Sequence, residues 1–326
     1  MIFSSAFNTL KTHCLIRKLR SQNVKPTLIL WIIDFLSQRT QRVRVNNTFS
    51  DEIVTNTGTP QGSVISPCLF ILYTNDCVSS ADSVKLLKYA DGMVLLGLIH
   101  ENENEYRSAV ETFSDWCKDN FLDLNPSKTK EIIFDFRVKI ETNPEDYPIH
   151  LNGQNIDIVD SYKYLGTVID RKLDWTEHVK SLFKKGNQRL HFLRLLKSFR
   201  VDRTIMKLFY STVIESILTN DCVVWYSGAK KKDRDTLKKI VKQASRIIGH
   251  PIDLDKVCEA KVVQKANSVI SKQSHPLNTN YVLMRSGKRW LSVNAKTSRF
   301  LNSFVPSSIR LLNAGGDRRG VAGVKP

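Results

Sequence analysis

The residues in this chain best placed to do chemistry lie in predicted loops. Pro60-Gln61-Gly62 sits inside Gly58-Thr59-Pro60-Gln61-Gly62-Ser63-Val64-Ile65-Ser66-Pro67. Glycine has no Cβ, so the backbone there can come close to a ligand, and Gln61 can both donate and accept hydrogen bonds. The same stretch also reads as a loop-to-helix junction, with Ser66 as cap and Pro67 in the first turn. Asp91 stands in Tyr89-Ala90-Asp91-Gly92, the polar tip of a hairpin pattern between two apolar runs. Lys128 lies in a Pro-Ser-Lys turn. The chain carries 49 Lys+Arg against 32 Asp+Glu, a formal charge of +17, densest at Lys230-Lys242. Such an excess suits a partner with a phosphate backbone, because each bound cation releases a condensed counterion. A solvated, charged surface has the same composition.

The elements that must position these residues follow from periodicity. Residues 5–38 read as two helices, with Leu10, Cys14, Leu15 and Leu19 on one face and Pro26 opening the second. Gln41-Val45 and Ile53-Thr57 alternate around Asn46-Asn47 as a hairpin. A helix is predicted from Ser66 to Asn75, and a hairpin from Val84–Tyr89 and Met93–Leu98. Glu103–Asn120 is an amphipathic helix with Tyr106, Val110, Phe113, Trp116 and Cys117 on its apolar face. Glu131–Phe136 and Tyr162–Ile169 read as strands, with an Asn152-Gly153 turn between short strands. Helices are predicted over roughly 175–198, 203–217 and 232–248. The order implies an α+β domain followed by an α domain, with the boundary near Arg171–Asp174. Six cysteines lack C-x-x-C spacing and read as reduced, mostly buried thiols in an intracellular protein. Met1–Ser5 has no secretory pattern, and no apolar run approaches the roughly 20 residues of a membrane helix.

Four segments in order carry a resemblance. They are Gly58–Pro67, Tyr89-Ala90-Asp91-Gly92, Phe121-Leu122-Asp123-Leu124-Asn125-Pro126-Ser127-Lys128-Thr129-Lys130, and Tyr162-Lys163-Tyr164-Leu165-Gly166. Together they resemble the reverse transcriptases of non-LTR (LINE-type) retrotransposons from Phe3 to about Arg203. The likeness is looser to Asn313, through Phe304-Val305-Pro306 and Ile309-Arg310-Leu311-Leu312-Asn313.

The resemblance implies a right-hand polymerase palm, an incomplete antiparallel sheet with helices, over residues 1–172. It implies a helical thumb-like region over 173–269 and a poorly ordered carboxyl end of the transposon polyprotein over 270–326. Phosphodiester synthesis needs two divalent ions about 4 Å apart, and Mg²⁺, the family's ion, wants hard carboxylate oxygens. By resemblance Asp91 is one metal ligand. A second family Asp stands where this chain has Gly92. The first would align with Ile2, just before Phe3-Ser4-Ser5-Ala6-Phe7-Asn8-Thr9. The expectation is therefore a degenerate RNA-directed DNA polymerase without turnover. Phe7 stacks under the sugar or fills a core. Pro60, Gln61, Gly62 and Tyr89 would face template and nucleotide, and Lys128 a phosphate or solvent. Tyr164-Leu165-Gly166 resembles the primer-grip strand or is a plain apolar strand and turn. In the first thumb helix His178, Phe183, Leu190, Phe192 and Leu193 form the core face. Lys184, Lys185, Arg189 and Arg194 are the side that would meet a nucleic-acid backbone.

The helical stretch after Leu173 also resembles a short domain named after the amino-terminal region of the eighth AlkB homologue. No His-x-Asp…His iron triad accompanies it, so no demethylase chemistry is expected. Relative to the family, the chain is expected to lack fingers, endonuclease and a Cys-His knuckle, which would leave the palm edge unpaired and the fold marginal. The expected partner is RNA or an RNA/DNA hybrid, with no membrane and no small-molecule cofactor. Two functions compete: an inactive polymerase fragment, and a non-catalytic RNA/DNA-binding protein. The sequence does not choose between nucleus and cytoplasm.

Overall fold

In the computed structural model, which describes residues 3–98, 104–136, 148–151 and 153–314, apolar spacing sets the first helices. After the single turn α1 (Ala6–Thr9), α2 (Thr12–Ser21) buries Cys14, Leu15 and Leu19 on one face. Pro26 opens α3 (Pro26–Leu36), where a missing N–H costs nothing. The chain then folds back on itself. β1 (Arg39–Gln41) pairs antiparallel with β4 (Ile53–Thr55), and β2 (Arg44–Val45) with β3 (Thr48–Phe49). The β2–β3 turn is Asn46-Asn47, with Asn46 at φ +54°. α4 (Ser66–Tyr73) follows, then the ladder of β5 (Val84–Tyr89) with β6 (Gly92–Gly97) and the helix α5 (Asn104–Asp119).

Short strands complete this part: β7 (Lys130–Glu131), β8 (His150–Leu151), β9 (Gln154–Asn155) and β10 (Asp157–Ile158). β8 pairs with β9, and β10 runs parallel to β7. The predicted strand Glu131–Phe136 keeps Glu131 alone in a ladder, with Lys130 before it. Among the described residues the strands pair two by two, not as the single antiparallel sheet expected. Two compact units result, Met1–Ile133 with Lys139–Val159, and Phe134–Val138 with Asp160–Pro326.

The core of the first unit gathers Leu10, Leu15, Leu19, Leu36, Phe70, Tyr73, Met93 and Leu122. Lys18 is buried within it. Its Nζ donates to the Tyr73 carbonyl (2.7 Å) and to Asp76 Oδ1 (2.6 Å), and lies 4.9 and 4.8 Å from the ring centres of Tyr73 and Trp116. Burial holds its ammonium below the usual lysine range, with Asp76 opposing.

The second unit opens with a correction. Tyr162–Ile169 is not one strand but a hairpin of β11 (Ser161–Tyr164) and β12 (Thr167–Asp170). Leu165 (φ +47°) and Gly166 (φ +94°) turn the chain, the double left-handed geometry that suits two-residue hairpins. Helices follow: α6 (Thr176–Ser198), α7 (Arg203–Phe209), α8 (Ser216–Leu218), α9 (Cys222–Trp225), α10 (Lys231–Ile248) and α11 (Leu254–Ile270). Between α7 and α8 the helix widens to a π segment, Tyr210–Glu215. Ser211 and Thr212 hydroxyls donate to the Leu208 carbonyl and Ser216 to that of Thr212, so side chains compete for the helix's own acceptors. The core runs through Leu182, Leu190, Ile214, Trp225, Leu237, Ala244 and Cys258.

Where loops with one short helix near Ser307–Leu312 are expected from residue 270 onward, that helix lies within a longer one and the described chain is held by a small apolar cluster. α12 (Ser298–Leu301) and α13 (Phe304–Ala314) follow a stretch in which Tyr281 stacks edge-on to Trp290, and Ile309 packs with Ala266 and Val269. Asn313 exchanges hydrogen bonds with the Trp290 backbone. All six cysteines are free thiols, and only Cys68 is exposed. Among the described residues no helix is long and apolar enough to cross a membrane.

Candidate functional site

The first unit laces the opening segment to the glycine loop. The Gly58 amide donates to the Leu10 carbonyl (2.7 Å) and the Thr59 amide to the Phe7 carbonyl (2.7 Å). Gly58 has φ +71°, and a Cβ there would sit 2.6 Å from both Asn8 Cα and the Phe7 oxygen. Only glycine fits this contact. Gln61 Nε2 donates to Asn8 Oδ1 at 3.1 Å. The loop is closed from the other side by Arg39, whose Nη2 donates to the Thr57 (2.5 Å) and Gly58 (2.9 Å) carbonyls. Ser66 Oγ donates to the Pro60 carbonyl at 2.7 Å, so this serine holds the loop back onto the start of α4. Pro60 is half-buried, whereas Gln61 and Gly62 are exposed. Phe7 is half-buried, 5.1 Å from the Phe70 ring centre, which favours its core reading while leaving an edge open. Ser4 donates to the Asp123 carbonyl (2.8 Å) and Phe3 bridges to Leu124, joining the opening segment to the Phe121–Lys130 motif. Lys128 is exposed there, in a turn organised by Asn125 Oδ1.

Asp91 occupies the tip of the β5–β6 hairpin, where Tyr89 pairs with Gly92 and Ala90 takes φ +51°. Tyr89 and Asp91 are both exposed. The hairpin is anchored by Lys88, whose Nζ donates to the Thr74 (2.8 Å) and Cys77 (3.0 Å) carbonyls just past the end of α4, where carbonyls lack helical partners. Met93, the first residue after the tip pair, is buried in the core. Ile2 lies outside the described residues. Among the described residues no three His, Cys, Asp or Glu side chains gather as a metal-binding group.

In the second unit the α6 residues separate. Lys184 and Arg194 are exposed and Lys185 half-exposed. Arg194 Nη2 donates to Gln243 Oε1 (2.7 Å), while Arg189 Nη1 donates to the Val213 carbonyl (2.9 Å) within the π segment. Arg189 is thus a strut between helices as well as a cation. His178 is buried against Trp225, with its Nδ1 accepting from the Val168 amide at 3.2 Å and its Nε2 without a partner. Burial, aided by Lys185, pushes its pKa down to about 4. Phe183, Leu190 and Leu193 face the core as read from sequence, but Phe192 is exposed. Leu165, expected in a strand, is the exposed tip of the β11–β12 turn, between Tyr164 and Gly166.

Sequence reasoning passed over Arg39, Lys88, Asn8 and Lys18. Each acts on a backbone carbonyl or side chain far along the chain, and no local pattern marks such a partner. Ser66 was legible, but as a cap; its hydroxyl goes instead to the loop.

Comparison with known proteins agrees with these motifs. The family model described as reverse transcriptase (RNA-dependent DNA polymerase) matches residues 3–169, over half of the chain. A second, described as the N-terminal region of alkylated DNA repair protein alkB homolog 8, matches only residues 175–216, the helical run from α6 to the start of α8. The chain is 31% identical over 208 residues to the probable RNA-directed DNA polymerase from transposon BS of Drosophila melanogaster, covering 60% of this chain and 23% of that protein. It is 24% identical over 200 residues to the probable RNA-directed DNA polymerase from the X-element transposon of the same fly, covering 59% and 22%. It is 28% identical over 167 residues to the RNA-directed DNA polymerase from the mobile element jockey, covering 48% and 18%. The chain spans less than a quarter of the length of these relatives.

Proposed function

Because this chain belongs to the reverse transcriptase family, in the form carried by non-LTR (LINE-type) retrotransposons, we propose that it is a palm and thumb portion of such an enzyme that does not polymerise DNA. On this reading residues 1–172 are palm, 173–269 are thumb-like, and 270–326 correspond to the carboxyl portion of the polyprotein. The observation that carries the reading is Gly92 beside Asp91 at the hairpin tip. Two Mg²⁺ ions on the attacking and leaving oxygens need several carboxylate oxygens between them. Gly92 has no side chain and Ile2 has an apolar one, so the residues present do not fit a two-ion clamp. Losing one such ligand removes several kcal/mol of transition-state stabilisation, and each 1.36 kcal/mol is about tenfold in rate.

Primer extension on an RNA template with Mg²⁺ or Mn²⁺ tests this. The expected result is no product above an Asp91→Ala control. Extension by the unaltered protein that disappears in Asp91→Ala would overturn it.

A second reading, a non-catalytic protein that binds RNA or an RNA/DNA hybrid, is favoured by one observation: Lys184 and Arg194 are exposed on α6 in a chain of net charge +17. Binding needs cations near phosphates and no metal ligand. The two readings are compatible, since a domain without turnover can retain its grip on a duplex.

A further inference from the structure

Outside the residues matched to the reverse transcriptase family, α10, α11 and α13 line a cavity of about 390 Å³. Lys231 and Arg234 reach it from the first turns of α10, and Arg310 from α13. Lys231 and Arg234 are three residues apart, so they share a helix face. Arg310 is steadied by bonds to the Leu301 carbonyl (2.9 Å) and Asn302 Oδ1 (3.3 Å). Acids also line the space, but two are occupied from within the wall. Asp255 takes Lys238 Nζ at 2.5 Å and the Tyr226 hydroxyl at 2.6 Å, and Asp235 lies 3.9 Å from the same amine. Glu259 is exposed. The lining thus carries four cations, Lys238 among them, against three acids, an excess of one positive charge.

Arg234 is the decisive residue. Its Nε is buried and has no hydrogen-bond partner. Its guanidinium lies over the Tyr226 ring, 5.8 Å from the centre, which keeps it in the wall. A buried guanidinium N–H without an acceptor is costly, and such groups in folded proteins usually have a partner. That nitrogen is shut away from the cavity, but the Arg234 side chain as a whole is half-exposed and lines it, so the terminal guanidinium nitrogens are the ones that meet acceptor oxygens there.

We propose that this cavity seats a phosphate group, held by the Arg234 fork with Lys231 and Arg310 beside it. Phosphate oxygens match the planar guanidinium in pairs. The volume lies within the range of small-molecule sites, so a mononucleotide fits as well as an ion. Two sources carry this chemistry, a free nucleotide and the terminal phosphate of a nucleic-acid strand.

The test is calorimetric titration of the full chain at constant ionic strength with inorganic phosphate, adenosine 5′-monophosphate, adenosine, and a short RNA with either a 5′-phosphate or a 5′-hydroxyl. Saturable binding of phosphate and the monophosphate is expected, and none of adenosine. Arg234→Met and Lys231→Met should each weaken the monophosphate about tenfold, the scale of a charge-assisted bond. Lys272→Ala, at an exposed lysine outside the cavity, should leave monophosphate binding unchanged. Preference for the 5′-phosphorylated strand assigns the phosphate to a strand end. Equal binding of both strands assigns it to a free nucleotide. No saturable binding of either phosphate probe, or a folded Arg234→Met protein that binds as the unaltered one does, would overturn the proposal. A melting curve of each variant checks folding.

Discussion

His178 packs edge-on against Trp225 and takes the Val168 amide on Nδ1, so it must stay neutral to keep that bond. Its pKa of about 4 lies below the ordinary 6.5 of the unfolded chain. Between these values the unfolded chain holds more protons than the folded one. Stability is therefore full above about pH 6.5 and declines as the pH falls toward 4, by roughly 3 kcal/mol over the window. Urea unfolding at pH 7.5, 6 and 5 checks this: the midpoint should fall in the unaltered protein and fall less in His178→Asn. Equal pH dependence in both would remove His178 as the cause. At this scale the sequence conveyed position but not role. The helical spacing puts His178 on the core face, yet its partner comes from β12, part of a stretch that reads as one continuous strand.

Gly58 and Gly62 flank the same loop and both have positive φ, at +71° and +80°. A Cβ on Gly62 meets nothing within 4 Å, whereas one on Gly58 strikes the backbone of Phe7 and Asn8. Gly62→Ala should cost only the backbone strain, about 1 kcal/mol. Gly58→Ala should cost more, about 3 kcal/mol or above, because α1 must move. Chemical denaturation of both variants measures the difference, and equal losses would mean the loop does not clasp α1. Elements were legible where periodicity was local. The hairpin at 84–97, the Asn46-Asn47 turn, and helices α2, α4, α5, α6 and α10 lie close to where the apolar pattern puts them, whereas Ile53–Thr55 returns to Arg39–Gln41 and Val45 pairs with Thr48 instead. Helix α11 was missed although Leu254, Cys258, Val262 and Ala266 recur every four residues behind the capping Asp253. Its apolar residues are small and its remaining positions mixed, so the pattern is faint. The Leu165-Gly166 turn is only one of two readings of that segment, because Leu165 is a poor residue for a left-handed turn.

For the whole molecule, the basic excess makes salt the natural probe. If α6 holds a duplex backbone, affinity for an RNA/DNA hybrid should fall linearly with salt on logarithmic axes. Replacing Lys184 and Lys185 together by alanine should flatten that slope by about two units, one per lost phosphate contact. Arg189→Ala should differ in kind. Its guanidinium serves the Val213 carbonyl, so the variant should lose about 1–3 kcal/mol of folding stability. Mobility-shift titrations from low to moderate salt, paired with melting curves, distinguish these outcomes. An unchanged slope in the double variant would remove α6 from the binding surface.

The fastening of β5 by Lys88 bears on how such a sequence drifts. An amine set on the carbonyls of Thr74 and Cys77, with Met93 sunk in the core, seats the hairpin by its stem. The tip adds only the Tyr89–Gly92 pairing, and Asp91 there is exposed. Substitution at Asp91 is therefore nearly invisible to folding, and selection for a stable chain cannot purge it. A scaffold wired this way tolerates change at an exposed hairpin tip while its architecture persists.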